Sequence, residues 1–150
     1  MDEKKTLSTD ELLRLLFMES SLEHLLERSE SSLRAADFSG YITALSRSRG
    51  EPAERIINRA NIEKSFGHQL FSGRRKPSRD TVLMLAFGFQ LDYQGAQELL
   101  NAAQKSLLYP RVKRDMVVIY CLHNHLSIVD CQMCLQQHDL PLLGEGKRYE

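Results

Sequence analysis

The chain has too little cysteine to be held together by disulfides. It contains three in 150 residues, an odd and low number, whereas domains that rely on cross-links carry more. It also lacks a long apolar run. The longest, MVVIYCL at 116–122, falls far short of the roughly 20 residues a membrane-spanning helix needs. The first ten residues, MDEKKTLSTD, hold no apolar signal region. These absences point to a reducing cytoplasm and away from a membrane. Net charge is missing too, because 20 basic and 20 acidic residues cancel, so global charge provides no attraction to nucleic acid. No apolar–polar alternation marks a strand. No low-complexity segment or repeat of 20–50 residues is evident. Enzyme signatures are lacking: there is no Gly-rich phosphate loop, no G-x-S-x-G and no H-E-x-x-H. Cys121 and His123 are two residues apart and cannot face each other on one helix. The chain reads as a non-enzyme without a cofactor.

What is present is helical spacing and an uneven spread of charge. An apolar fraction of 42% is enough for a core. Between Arg47 and Arg79 nine basic residues face three acidic ones, a local excess of six positive charges. Residues 1–30 hold eight acids against four bases, a local excess of four negative charges. The neutral total hides a basic centre.

Ser8 or Thr9 can cap a first helix bearing Leu12, Leu13, Leu15, Leu16 and Phe17. A second carries Leu22, Leu25 and Leu26 before a break at SESS, 29–32. From Phe38, shorter helices follow. The first presents Phe38, Ile42 and Leu45 and ends at Gly50. A helix at 53–60, started by Pro52, turns at Asn61, a residue that tolerates left-handed backbone. A helix at 64–72 ends at Gly73, although Gly67 in its middle costs about 1 kcal/mol relative to alanine. Ser78 and Asp92 can cap two more, with Asp80 in the first turn of the earlier one. Beyond Pro110 two helices are expected. The first is apolar along Met116, Val117, Tyr120 and Cys121. The second opens with a capping box of Ser127 and Asp130.

A short helix, a tight turn, a second short helix and a basic loop form the layout of a helix-turn-helix. On SGRRKPSRDTVLMLAFGFQLDYQGAQELLNAA above all, residues 38–105 resemble the lambda-repressor-like or XRE-type family of DNA-binding proteins. Gly73, Arg74, Arg75, Pro77, Ser78, Leu91, Leu99 and Leu100 fit that pattern. The resemblance implies an all-α bundle and sequence-specific binding of double-stranded DNA by a bacterial or phage transcriptional regulator, a repressor first. It implies a domain order of a helical extension at 1–33, a DNA-binding core at 38–105, and a helical extension at 111–150 that packs on the core or dimerises.

The resemblance sets Lys64, Ser65 and Gln69 on the groove-facing side of the second motif helix, with His68 beside them. Lysine can donate to guanine, glutamine can pair with adenine and serine is versatile. Ser72, Arg74, Arg75 and Lys76 would meet phosphates, which fix register and salt dependence. Three departures stand out. Ile57 replaces the usual alanine and Gly67 the usual bulky aliphatic, a volume-conserving exchange in which Gly67 makes room for Ile57. Phe71 stands where glutamate is frequent, and Ala53 where a polar residue often touches DNA. The alternative is a non-catalytic interaction or adaptor module with a degenerate motif, using its N- or C-terminal helices for a protein partner. Near the C-terminus, Cys121, Cys131, Cys134 and His138 offer zinc donors. Their spacing matches no standard finger, and cysteine is commonly a small buried apolar residue.

Overall fold

A computed structural model describes residues 7–29 and 37–144. All regular structure among them is helical: α1 Thr9–Met18, α2 Leu22–Ser29, α3 Phe38–Ser48, α4 Ala53–Arg59, α5 Lys64–Ser72, α6 Arg79–Gly88, α7 Tyr93–Ala102, α8 Lys113–His123 and α9 Ile128–Gln137. The chain divides into two compact units, Met1–Ala36 and Asp37–Glu150. No helix among the described residues is long and apolar enough to cross a membrane.

In the first unit, Ser8 caps α1 by accepting from the Glu11 N–H at 3.2 Å. Glu19 then receives Arg28 at 2.9 Å and lies 3.0 Å from His24. The unit has little core of its own. α1 buries nothing, α2 buries only Leu25 and Ser29, and Phe17 and Met18 are about four-fifths exposed. The expected break at 29–32 begins where α2 ends, and 30–32 lie outside the described residues.

In the second unit the starts and stops follow their sequence signals. Gly50, Asn61 and Gly73 all take the left-handed backbone expected at helix ends. Ser78 and Asp92 cap α6 and α7 through the N–H groups of Thr81 and Gly95. The Ser127–Asp130 capping box opens α9. α6 is the central helix, with every residue from Thr81 to Gly88 buried. It packs against α4, α7 and α9.

Two hairpins dominate this unit, and they repeat one pattern at a spacing of 35 residues, which corrects the reading that no repeat is present. Arg79 and Asp80 open α6 as Arg114 and Asp115 open α8. Gln90 and His125 end the first helix of each pair in left-handed conformation, and Gln104 and Asp139 end the second. The Gln97 amide brackets both the N–H and C=O of Leu108, at 2.8 and 3.1 Å. Gln132 brackets Leu143 in the same way, at 2.8 and 3.0 Å. Beyond these groups the copies share a few apolar residues, Val82/Val117, Leu91/Leu126 and Leu100/Leu135 among them, and otherwise differ.

The hairpins grip each other reciprocally. Arg79 donates to both Asp115 oxygens, at 3.2 and 2.9 Å. Arg114 donates to both Asp80 oxygens, at 3.0 Å each. Each arginine also holds carbonyls of its own hairpin: Ser106 and Leu107 for Arg79, Pro141 and Leu142 for Arg114. Each aspartate accepts an N–H from the end of the opposite hairpin, Gly144 for Asp80 and Tyr109 for Asp115. Residue i meets j wherever j's counterpart meets i's, the mark of an approximate two-fold relation. Burial pushes the Asp80 carboxyl up, but Arg114 and the Gly144 N–H outweigh it and hold it below its ordinary value.

This clasp fixes the rotation of α8. Asp115 is buried on Arg79, so Val118, Cys121 and Leu122 turn inward. The face read as apolar is thereby split: Cys121 is buried and Val117 half-buried, while Met116 and Tyr120 point outward, 56% and 62% exposed.

Candidate nucleic-acid interface

The candidate surface runs from α4 through α5 into the basic loop. α4 and α5 cross closely because of one glycine. A Cβ added at Gly67 would lie 2.5, 2.8 and 2.9 Å from three Ile57 side-chain atoms, closer than real Cβ atoms come. Ile57 is itself buried. Gly67 thus makes the room that Ile57 fills. Phe71, on the same helix, turns to the core and meets the Phe89 ring with centroids 6.4 Å apart. Both departures on α5 are packing devices.

The remaining side of α5 faces outward. Lys64, Ser65, His68, Gln69, Ser72 and Arg74 line one shallow, open surface together with Glu63. Lys64, Ser65, His68, Ser72 and Arg74 are exposed there, and Gln69 beside them is half-buried. Glu63 caps α5, accepting from the Phe66 N–H at 2.9 Å. The helix ends in a Schellman arrangement, with Gly73 N–H on Leu70 C=O and Arg74 N–H on Gln69 C=O. That turn throws Arg74, Arg75 and Lys76 outward, all exposed.

Several candidates already have partners. Lys64 Nζ lies 2.8 Å from a Glu54 oxygen. The hydrogen bond holds the lysine above its ordinary pKa and the glutamate below its own. The Gln69 side-chain oxygen accepts from Arg75 Nε at 3.2 Å. Ser72 Oγ donates to the Gln69 carbonyl at 3.2 Å. Ala53 begins α4 next to Glu54. The surface is therefore mixed in charge, with Glu54 and Glu63 among the basic groups.

Much of the basic centre read from sequence serves the fold. Arg59 makes a bidentate pair with Glu51, 2.7 Å on each side, and donates to the Gly88 carbonyl at 2.9 Å. Arg49 donates to the Phe89 carbonyl at 3.0 Å. Arg79 is spent on the clasp. Gly88 had no sequence signal beyond being a glycine in a helix. A Cβ there would sit 2.5 Å from the Ile56 carbonyl oxygen and 2.8 Å from Ala60 Cβ, so α4 lies directly against α6.

The cysteine cluster has a different explanation. Cys121 and Cys131 are buried, Cys134 is half-buried and His138 is exposed at the end of α9. Among the described residues no three His, Cys, Asp or Glu are arranged to hold a metal ion. Burial pushes the Cys121 thiol up to about 11 and that of Cys131 higher still. In the repeat, Cys121 and Cys131 stand where the first hairpin has the buried alanines Ala86 and Ala96. Small residues are what that crossing requires.

No protein-family model, curated protein or solved structure matches the chain.

Proposed function

We propose that the chain binds double-stranded DNA in a sequence-specific way, as a lambda-repressor-like helix-turn-helix regulator of bacterial or phage type, acting in the cytoplasm as a repressor and without catalysis. The observation that carries this reading is the α4–turn–α5 unit. Ile57 and Gly67 seat the two helices tightly. The outer side of α5 faces away from the core with Lys64, Ser65, His68 and Gln69 upon it, and Arg74–Lys76 emerge at its end. α5 would enter the major groove. Ser72, Arg74, Arg75 and Lys76 would lie on phosphates.

Lys64 must leave Glu54 to reach a base, and both are exposed, so little holds them together. Gln69 would read adenine while Arg75 orients its amide. Selection of bound fragments from random double-stranded DNA at several salt concentrations tests the reading. Enrichment of one motif and a falling log affinity against log salt support it. No binding at low salt refutes it.

A second reading is a protein-interaction module with a degenerate motif. It is favoured by Glu54 and Glu63 on the same surface as the candidate readers, where a phosphate backbone would be repelled.

A further inference from the structure

The 35-residue repeat allows each face of α8 to be compared with the same face of α6. Pro77, Thr81, Leu85 and Gly88 are all buried. Their counterparts Val112, Met116, Tyr120 and His123 are all exposed. The inner contacts are matched: α6 packs on α9 as α8 packs on α7. What differs is outside. α6 carries α4 on that face, with Gly88 against Ile56 and Ala60. Among the described residues the main neighbours of α8 are α9 and α7. Within the described residues of its unit, the second hairpin thus displays, uncovered, the face that its sister uses to seat a helix.

We propose that this face of α8 seats the α8 of a second copy of the chain, in an antiparallel, two-fold contact. Val112, Met116 and Tyr120 recur every four residues and form one apolar line along the helix. Met116 is its midpoint, so a two-fold axis there sets Met116 against Met116 and Val112 against Tyr120. The charges at its ends are complementary. Arg111 and Lys113 are exposed at the N-terminal end. In the antiparallel pair they reach the C-terminal end of the partner's α8, the negative end of its helix dipole. Asp130, exposed in the first turn of α9, follows that end in the chain and is the acidic residue nearest to it in sequence. A parallel pair would instead bring Arg111 and Lys113 against their own copies. The contact is small, so a micromolar dimer is expected. The proposal rests on the DNA-binding reading only in that a two-fold dimer suits a palindromic site.

The test is the solution mass of the full chain over a range of micromolar concentrations, for wild type and for Met116→Lys/Tyr120→Lys. Wild type should have the mass of two chains, falling to one on dilution. The double variant should be monomeric, with association weakened at least about 100-fold, and with an unchanged helical circular-dichroism spectrum, since both side chains are exposed. A wild type monomeric throughout overturns the proposal, as does a variant that dimerises like wild type. Should the double variant fold poorly, Met116→Cys decides: oxidised glutathione should link position 116 to position 116, and absence of that link overturns the contact. Titrating the same samples with DNA separates the two ideas. A monomer that binds DNA overturns the dimer alone, and a dimer that binds no DNA overturns only the DNA reading.

Discussion

The hairpins α6–α7 and α8–α9 share a skeleton and differ in what surrounds them. Both begin with Arg-Asp, both cap the second helix with a short polar residue, and both close with a glutamine bracketing a leucine backbone. Yet α6 is buried on every side, whereas α8 shows Met116 and Tyr120 outward. Polar groups with strict geometry and a few shared apolar residues preserve the hairpin, while most other apolar positions change with whatever is packed on them. The comparison also separates two kinds of charge. Arg79, Arg114, Asp80 and Asp115 hold the fold, and Arg74, Arg75 and Lys76 remain outside it.

The strongest way to break the comparison is through the clasp. Asp115→Ala leaves Arg79 without its carboxylate and Tyr109 N–H without an acceptor. Chemical denaturation should show a loss of about 3 kcal/mol, as for a broken buried pair. Asp80→Ala should cost less, because the Asp80–Arg114 pair leaves its carboxylate more exposed than Asp115. Equal, negligible losses would show that the clasp does not hold the hairpins together.

The covered and bare faces give the next test. Gly88→Ala forces a methyl to 2.5 Å from the Ile56 carbonyl oxygen, and backbone cannot easily yield. A loss of about 2 kcal/mol is expected. At the counterpart position His123→Ala should stay within about 0.5 kcal/mol. If both behave alike in thermal melts, the difference between the faces is not energetic.

Gly67 offers a change of sign. Gly67→Ala gains about 1 kcal/mol of helix propensity but meets three atoms of buried Ile57, an overpacking that costs more. Wild type should be destabilised by it. In an Ile57→Ala background the same substitution should stabilise, giving a coupling of about 2 kcal/mol in a double-mutant cycle. Additivity would show that the two positions do not share space.

The smallest expected effect is that of pH. The folded-state pKa values of Asp80 and Glu51 are lowered, Asp80 by Arg114 against the cost of burial and Glu51 by its hydrogen bond from Arg59. A lowered value contributes stability above the unfolded-state pKa, about 4, and loses it as pH falls through the folded value. Denaturation midpoints should be flat from pH 7 to 5 and drop below about 4. The drop should be smaller in an Asp80→Asn variant.

The elements of the second unit were legible because their signals are local. Ser78, Asp92 and Ser127 cap helices through the next turn, and Gly73 terminates α5 by backbone conformation alone. The Gly67–Ile57 exchange was legible because a large-for-small and a small-for-large substitution fall on facing positions. The repeat was not, since its matched residues are few and scattered among apolar positions that differ. Nor was the rotation of α8. Met116 and Tyr120, two of the residues read as its apolar face, lie outward because a charged residue, Asp115, is held inside by Arg79 36 positions away. No local pattern carries that information. The basic centre was legible as composition, but composition cannot tell an arginine that pairs with Glu51 from one left to solvent.

The most direct measurement is the affinity of the full chain for its selected DNA as a function of salt, for wild type and for Arg74→Glu/Arg75→Glu. The expected result is a negative slope of log affinity against log salt, shallower by about 0.9 for each of the two phosphates that the variant no longer neutralises, with sequence preference unchanged. Absence of binding at low salt, or a variant indistinguishable from wild type, would contradict DNA recognition by α5 and its basic loop.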